Sequence, residues 1–474
     1  MDIKIENKKI SGVLTAPESK SMAHRYLICH ALTKNRTDFV CNSSSDDICA
    51  TRQALESLGL YGETDAEDEL CIIECRDSAS TLRFFIPLAA ALGRSCEFRM
   101  GDSLAERPLK DLLTVLKIHG VKHEYITKNR LRIFGQLTAG TFVLPGNVSS
   151  QYISGLLFAL PLLKMSSKIL VEGKLQSEPY IKMTLKALKD AGIRIDADWP
   201  EEKKGKAAED AVSAEGSAVA VPSKNSAIGA AFKIPGGQQY YLSKVHKVEG
   251  DWSNSAVFMI AAALTKGRLK VDGLDVNSLQ GDKVILNILR AAGAEVAVEE
   301  EIIKKEKKSS DEQAGFKNSP FFDMDEDKDE IRCHITVSGP HEGEHLKALH
   351  IDAGQFPDLV PALAVLGACS DGISKIINID RLRIKESDRI EAMIALLTEA
   401  GVRAWMDKGC LNIAGYPFDK PFRNCVLPSY NDHRIVMMGA LMAVMSDSSI
   451  TVQGAEAVTK SYPDFFVTLH SLQH

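Results

Sequence analysis

Charged residues from Arg383 to Arg389 lie at the start of a predicted helix. Asp388 is followed three residues later by Glu391, a spacing that predicts a helix N-cap with a reciprocal carboxylate. A cation beside a helix N-terminus costs about 0.3–1 kcal/mol unless an anion offsets it. Lys385 and Arg389 occupy such positions, and a bound anion held by the free N–H groups is the usual compensation. The segment therefore predicts an anion-binding site.

Cations recur at four further predicted helix starts. Any one of them alone is most simply a solvated surface charge. Five together predict a cleft that holds more than one phosphate or carboxylate. The four segments are 17–25 with Lys20 and Arg25, Arg107 with Pro108 as the predicted first helical residue, 431–434 with Asp432 as a cap before Arg434, and 460–464 with Lys460.

The bulk composition limits what the protein can be. At 474 residues the chain exceeds one ordinary core, so two domains are expected. Hydrophobic residues make up 45% and charged residues 25%, as in globular proteins. The net charge of −6 argues against a global basic field for nucleic acid or an anionic membrane. The proposed anion site must be a local concentration of cations.

Cysteine usage and the absence of an obvious targeting segment indicate the compartment. The ten cysteines are scattered, without a Cys-x-x-Cys pair or a zinc-type spacing. The sequence from Met1 to Lys4 does not resemble a signal peptide, and no apolar run approaches 18 residues. We therefore expect a cytoplasmic protein with reduced thiols, in which the apolar stretch Ser154 to Leu163 is a buried helix.

Helical patterns that end at glycine and lead into short strand-like runs recur along the chain. Six related units, spaced by about 60–70 residues where nothing intervenes, predict a βαβ-type repeat with three units in each of two similar domains. Two stretches, 201–231 and 299–330, are predicted surface insertions because they are charged or poor in large apolar residues. The predicted helix stops are Gly59, Gly120, Gly192, Gly293 and Gly401.

Eight short motifs together resemble the 5-enolpyruvylshikimate-3-phosphate synthase (3-phosphoshikimate 1-carboxyvinyltransferase) family of enolpyruvyl transferases. Each motif alone is weak, but the set in this order is highly specific. The resemblance covers nearly the whole chain outside the two insertions. The motifs are 17–21 with Arg25, 101–109, 146–151, 250–253, 356–358, 385–389, 431–434 and 460–464.

The resemblance implies an α/β protein of two similar domains, each an inside-out α/β barrel of three βαβαββ units. One domain would comprise 1–17 plus 249–474 and the other 18–248, with crossings near 17–20 and 247–250. The domains would close over the two substrates, shikimate 3-phosphate and phosphoenolpyruvate. No metal, organic cofactor, nucleic-acid partner or membrane partner is implied, and a monomer is expected.

The implied reaction transfers the enolpyruvyl group of phosphoenolpyruvate to the 5-hydroxyl of shikimate 3-phosphate. It needs a base, an acid and cations that hold the leaving phosphate. By resemblance Asp358 is the base, Glu386 the acid, and Lys20 contacts both substrates. The implied shikimate 3-phosphate contacts are Lys20, Ser21, Arg25, Ser149, Ser150, Gln151, Ser177, Asp358 and Lys385. The implied phosphoenolpyruvate contacts are Lys20, Ala79, Arg107, Gln151, Arg389, Arg434 and Lys460.

Several of these residues also have an ordinary structural interpretation. Asp358 could cap the helix that follows it, and Glu386 could be a surface acid favoured by a helix dipole. The serines, taken alone, are more often helix caps than ligands. The motif context favours the functional interpretation for Asp358 and Glu386, whereas His433 is interpreted only as a neighbour of Arg434.

Two positions depart from the family pattern. Ala79 stands where the family has glycine. Its extra methyl should weaken the binding of a ligand longer than phosphoenolpyruvate, since added volume in a packed site costs roughly 1–3 kcal/mol. This predicts weaker inhibition by glyphosate, the family's known inhibitor, than in an Ala79→Gly variant. Arg381 stands where some members place an asparagine that contacts the shikimate ring, so the resemblance does not define its contact.

Three rival functions fit the sequence less well. The sister transferase acting on UDP-N-acetylglucosamine carries a reactive cysteine on the loop that here reads 103–107, without cysteine. A zinc peptidase would need 341–345, His-Glu-x-x-His, on a helix, but Pro340 and Gly343 predict a loop or hairpin. A non-catalytic relative that only binds ligand is disfavoured because Asp358 and Glu386 are both present.

Overall fold

The computed structural model describes residues 1–34, 39–61, 70–199, 212–213, 228–242, 246–303, 330–416, 421–447 and 449–474. Most of both predicted insertions lies outside these residues. Their predicted bounds were too wide: Glu295–Ile303 and Ile228–Ile234 are strands that extend into the stretches 299–330 and 201–231. Each strand pairs antiparallel with a neighbouring strand, which provides hydrogen-bond partners for its backbone N–H and C=O groups. Composition alone did not indicate these pairings.

Thirteen α-helices occur within the described ranges, and none of them is long and apolar enough to cross a membrane. The helices are Lys20–Leu32, Asp46–Ser57, Ala79–Ala91, Asp102–Ala105, Lys110–Ile118, Ser150–Ala159, Glu178–Asp190, Trp252–Leu264, Ile285–Ala292, Val360–Ala368, Arg389–Glu399, His433–Val444 and Phe465–Ser471.

Four of the sheets share one pattern, a parallel pair extended by an antiparallel hairpin. In order across each sheet, these are Cys71–Arg76, Cys96–Met100, Arg130–Phe134, Lys122–Thr127; Thr141–Pro145, Ser167–Glu172, Ile228–Ile234, Asp196–Asp198; Gly12–Thr15, Arg268–Asp272, Glu330–Ser338, Glu295–Ile303; and His350–Asp352, Gly372–Ile377, Cys410–Gly415, Ala404–Asp407, with Val212–Ser213 added beside His350–Asp352. The remaining strands form two small sheets. One has three strands, in the order Val426–Pro428, Ser449–Gln453, Asp2–Glu6, and the other is the pair Phe39–Val40 and His246–Lys247. This repeated pattern agrees with the βαβ-type repeat predicted from the sequence and with the βαβαββ unit that the family resemblance implies.

Helices occupy the centre of each domain and sheets surround them. Every residue of Trp252–Leu264, Val360–Ala368 and His433–Val444 is buried, and these three helices contact one another. Ala79–Ala91 and Ser150–Ala159 pack together in the same way in the other half of the chain. A helix that is apolar around its whole circumference must be covered on all sides, which explains the inside-out arrangement.

The buried apolar residues form two separate cores. One is built from Ile5 to Leu14 together with Trp252 to Leu472, and the other from Met22 to Val248. The two connecting segments run side by side, because Ser19 N–H donates to the Glu249 carbonyl and Asp251 N–H to the Pro17 carbonyl, at 2.8 and 2.7 Å. These features support our proposal that the domains comprise 1–17 with 249–474, and 18–248.

Several local predictions can be checked against this fold. All five predicted glycine stops have positive φ, from 72° to 96°, and the buried helix within 154–163 is present as Ser150–Ala159 continued by a 3₁₀ turn. Segment 341–345 is a loop, as predicted, rather than a metal-binding helix. Pro108 was wrongly predicted as a first helical residue, since Lys110–Ile118 begins two residues later.

Candidate active site

One cleft between the two domains is lined by nearly all the predicted site residues. Eight lysines and arginines line it against five carboxylates, so its positive charge is in excess. The predicted residues found there are Lys20, Ser21, Arg25, Ala79, Arg107, Ser149, Ser150, Gln151, Ser177, Asp358, Lys385, Glu386, Arg389 and Arg434. Lys460 does not line the cleft, although the adjacent Ser461 does.

Many of these side chains lie at helix N-termini, which come from both domains. Ser19 accepts a hydrogen bond from Met22 N–H and begins Lys20–Leu32, while Asp432 accepts from Arg434 N–H and begins His433–Val444. Asp388 caps Arg389–Glu399 as predicted. The reciprocal bond from Glu391 was wrongly predicted, because that carboxylate pairs with the exposed Arg383 at 3.0 Å instead.

Arg389 joins three carboxylates and is 1% exposed. Its Nη1 lies 2.8 Å from Asp358, its Nη2 2.7 Å from Glu386, and its Nε 2.8 Å from Asp432. Burial alone would lower the pKa of Arg389, but the charges of Asp432, Glu386 and Asp358 raise it above its ordinary value. The guanidinium therefore remains charged and fixes both proposed catalytic carboxylates in the cleft.

Asp358 does not cap a helix, so its structural interpretation is wrong. It lies in the 3₁₀ turn Pro357–Leu359, and the following helix has no side-chain cap. One carboxylate oxygen accepts from Tyr180 Oη at 2.7 Å, and the other lies 3.3 Å from Lys385 Nζ. Burial would raise the pKa of Asp358, but Lys385, Arg389 and Arg434 together hold it well below its usual value. The carboxylate is thus ionised and able to accept a proton.

Glu386 connects the two domains. Arg107 Nη1, from the other domain, lies 3.5 Å from its carboxylate, and Ser103 Oγ donates to its backbone carbonyl at 2.8 Å. Burial would raise the pKa of Glu386, but Arg389 and Arg107 hold it well below its usual value. Glu386 is therefore a carboxylate with the contacts described here, without the proton that a general acid must carry.

Two buried arginines of the cleft hydrogen-bond to neutral groups alone among the described residues. Arg25 is 2% exposed and donates to Thr184 Oγ1 and to the carbonyls of Ser21 and Tyr180. Arg83 Nη1 donates to Gln151 Oε1 at 2.7 Å. Burial lowers the pKa of both guanidinium groups to about 10. A buried cation without a counter-ion is costly, so both favour a bound anion.

The remaining predicted cations have partners of their own. Lys20 Nζ lies 2.8 Å from Asp47, and Arg434 Nη2 donates to Ser253 Oγ at 2.6 Å. Lys460 Nζ lies 2.8 Å from Asp77 of the other domain. Of these three contacts, that of Lys460 with Asp77 joins the two domains, and Lys460 itself does not line the cleft.

Sequence reasoning missed several residues of the site, among them Arg83, which lines the cleft. Asp432 was predicted only as a cap, yet its fully buried carboxylate also holds Arg389. Tyr180 and Asp282 also line the cleft, although neither was predicted as a site residue. No short-range pattern links Asp432 to Arg389, which lies 43 residues away, because only tertiary folding makes the pair.

Asp282 gives a prediction for stability. It is 4% exposed, and its Oδ1 has no hydrogen-bond partner in the described structure. Burial and the nearby Asp358 raise the pKa of Asp282 from 3.8 to about 7. The folded protein therefore binds this proton more tightly than the unfolded chain does. As pH rises from about 4 to about 7, the free energy of unfolding decreases, because the folded state must ionise a buried group.

We therefore expect Asp282→Asn to stabilise the protein more at pH 8 than at pH 5. The gain over the wild type should grow by on the order of 2–3 kcal/mol between these pH values. Chemical unfolding at both pH values measures it, with the exposed Asp371→Asn as a control whose effect should not change. An equal effect of Asp282→Asn at pH 5 and pH 8 would contradict the prediction.

Comparisons with known proteins agree on one family. A family model described as EPSP synthase (3-phosphoshikimate 1-carboxyvinyltransferase) matches residues 5–218 and 217–469. The 3-phosphoshikimate 1-carboxyvinyltransferase of Clostridium acetobutylicum is 33% identical over 99% of this chain and 97% of its own, and that of Clostridium novyi is 32% identical over 98% and 96%.

Two solved structures show the same fold. An EPSP synthase from Acinetobacter baumannii superposes with a TM-score of 0.71 at 20% identity, covering 100% of this chain and 98% of that one. The enolpyruvyl transferase NikO from Streptomyces tendae has a TM-score of 0.67 at 15% identity, covering 99% and 96%. These likenesses confirm the predicted two-domain α/β fold.

Proposed function

The chain belongs to the EPSP synthase family, and from this premise we propose which of its residues carry out the family's reaction. The protein transfers the enolpyruvyl group of phosphoenolpyruvate to shikimate 3-phosphate and releases phosphate. The observation that carries the residue assignment is the arrangement of Asp358 and Glu386, both held by Arg389 in a cleft with excess positive charge.

In the proposed mechanism Asp358 removes the proton from the 5-hydroxyl of shikimate 3-phosphate. The resulting oxygen attacks C2 of phosphoenolpyruvate while Glu386 gives a proton to C3, forming a tetrahedral intermediate. The Glu386 carboxylate then takes a proton back from the new methyl group as the carbon–oxygen bond to phosphate breaks, which restores the carbon–carbon double bond and releases phosphate. Tyr180 and Lys385 hold Asp358 in position through the contacts of 2.7 and 3.3 Å.

Cations from both domains are proposed to hold the two substrates. The acceptor contacts are those implied by resemblance. Within the described ranges Arg25 hydrogen-bonds to a hydroxyl and two carbonyls and to no carboxylate, which supports an anion there. The proposed phosphoenolpyruvate contacts are Lys20, Arg107, Gln151, Arg389, Arg434 and Lys460, with Ala79 at the wall of the pocket. For Lys460 the proposal requires an exchange of its present partner Asp77 for substrate.

Phosphoenolpyruvate binding is proposed to prepare Glu386 as an acid. The pKa of Glu386 is low because Arg389 and Arg107 stabilise its charge. If the anionic groups of phosphoenolpyruvate take over these arginines, that stabilisation weakens and burial raises the pKa. Glu386 then takes up the proton that the reaction requires.

The function is tested by phosphate release from phosphoenolpyruvate with and without shikimate 3-phosphate. Release should depend on shikimate 3-phosphate, and UDP-N-acetylglucosamine should not replace it. Release that requires UDP-N-acetylglucosamine would assign the chain to the sister reaction. Binding of shikimate 3-phosphate without any phosphate release would support the non-catalytic alternative.

A further inference from the structure

Two cysteines lie opposite each other on the neighbouring strands Cys71–Arg76 and Cys96–Met100. These strands are parallel, and Cys71 and Cys96 occupy directly paired positions of their register. Side chains at paired positions project from the same face of a sheet, and neighbouring strands lie about 4.8 Å apart. That spacing is within the Cα separation of about 4.4–6.8 Å that a disulfide spans. Within the described ranges, no other two cysteines occupy paired strand positions.

The side chains of this pair contact each other beneath the surface. Both are free thiols, and the Cys96 thiol donates a hydrogen bond to the Cys71 sulfur. Cys71 Sγ in turn donates to the Ser57 carbonyl at 3.1 Å. Cys96 is fully buried, whereas Cys71 is 7% exposed and follows the exposed Leu70. Cys71 is therefore the sulfur that a small molecule in solution reaches first.

The two thiols differ in acidity. The hydrogen bond from Cys96 and the nearby charge of Arg94 lower the pKa of Cys71, although burial opposes this. The same hydrogen bond, together with burial, raises the pKa of Cys96. Burial also raises the pKa of Cys75, on the same strand as Cys71. Because the thiolate is the nucleophile in thiol–disulfide exchange, Cys71 has the properties of an attacking residue and Cys96 those of a resolving residue.

We propose that Cys71 and Cys96 form a reversible disulfide in the folded protein by exchange with a low-molecular-weight disulfide. The Cys71 thiolate attacks one sulfur of that molecule, which forms a mixed disulfide and expels one thiolate. Cys96 then loses its proton to solvent and attacks the Cys71 sulfur, which expels the second thiolate. The two protein thiols are thereby oxidised by two electrons, and the small disulfide is reduced to two thiols.

This modification site is separate from the candidate active site. Cys71 and Cys96 are the first residues of their strands, whereas Asp77 and Ser103, which contact the other domain, follow the last residues. At a rise of about 3.3 Å per residue, Cys71 lies about 20 Å along the chain from Asp77. Changes at such a distance are usually independent, so oxidation of the pair should leave phosphate release within about 3-fold.

The test treats the reduced, full-length protein with oxidised glutathione and then blocks the remaining thiols with N-ethylmaleimide. Peptide mass spectrometry should find Cys71 joined to Cys96, with two hydrogen atoms lost and no glutathione attached. Dithiothreitol should restore both thiols. Free Cys71 should disappear at least about 10-fold faster than free Cys75, the buried cysteine on the same strand, because the pKa values of the two thiols are shifted in opposite directions.

Two variants distinguish attack from resolution. Cys96→Ser should stop at the mixed disulfide, with glutathione on Cys71, because the resolving thiol is absent. Cys75→Ser is the matched control and should form the bond as the wild type does. A wild type that retains glutathione on Cys71, joins Cys71 to a different cysteine or leaves the pair reduced would overturn the inference. The proposed function is judged separately, by the dependence of phosphate release on shikimate 3-phosphate.

Discussion

Replacement of Asp358 by alanine is expected to lower kcat by about 10²–10⁴-fold at pH 7, the range typical for loss of a positioned general base. The carboxylate is ionised in the cleft, and Tyr180, Lys385 and Arg389 hold it in a fixed orientation. No other carboxylate shares these three contacts in the described parts of the chain. Steady-state phosphate release with saturating substrates measures the effect.

The control for this prediction is Asp371→Ala, which removes an exposed carboxylate without a place in the cleft. Its kcat should equal that of the wild type. Shikimate 3-phosphate should still bind measurably to Asp358→Ala, because the cationic contacts remain. Full turnover in Asp358→Ala would remove the assignment of Asp358 as the base, whatever the effect on binding.

The substitution with the largest effect on stability is expected to be Arg389→Ala. It leaves Asp358, Glu386 and the fully buried Asp432 without their common counter-ion. Removal of one partner from a buried ion pair typically costs about 3–5 kcal/mol, because the remaining charge stays buried and unpaired. Turnover should be lost as well, since both proposed catalytic carboxylates lose their fixed positions. Denaturant unfolding and phosphate release measure the two effects.

Arg383→Ala is the matched control within the same segment. Arg383 also contacts two carboxylates, at 2.9 and 3.0 Å, but its side chain is 41% exposed. Exposed ion pairs contribute about 0–1 kcal/mol, so this variant should unfold nearly as the wild type does. Similar losses of stability in the two variants would show that burial of Arg389 does not determine its effect.

Local signals in the sequence predicted the elements well where one residue type determines the backbone. Gly293 and Gly401 end their helices with positive φ because glycine adopts this conformation without a Cβ clash. The cap at Asp388 formed as predicted. Pro108 was placed wrongly because proline also fits the turn before a helix, and its carbonyl is instead held by Arg83 and Tyr152.

The membership of the cleft was largely predictable, but its pairings were not. Helix starts rich in cations identified Lys20, Arg107 and Arg434, and the structure brings them to one cleft. The contact of Arg389 with Asp432 and that of Lys460 with Asp77 join residues 43 and 383 positions apart. Such pairs depend on how the domains pack, and a single sequence carries no local pattern for them.

The central physical claim concerns the exchange of partners in the cleft. Glu386 now neutralises Arg107 and Arg389, and the anionic groups of phosphoenolpyruvate are proposed to replace it there. Linkage then requires proton uptake on binding, because the pKa of Glu386 rises from a value well below its usual range. The Glu386→Gln variant cannot take up this proton.

The most direct measurement is calorimetric titration of phosphoenolpyruvate into the complex with shikimate 3-phosphate at pH 7, in buffers of different ionisation enthalpy. The difference in proton exchange between the wild type and Glu386→Gln isolates the contribution of Glu386. We expect the wild type to take up more protons than Glu386→Gln, by at most one per site. Equal proton exchange in the two proteins would contradict the claim that substrate replaces Glu386 on its arginines.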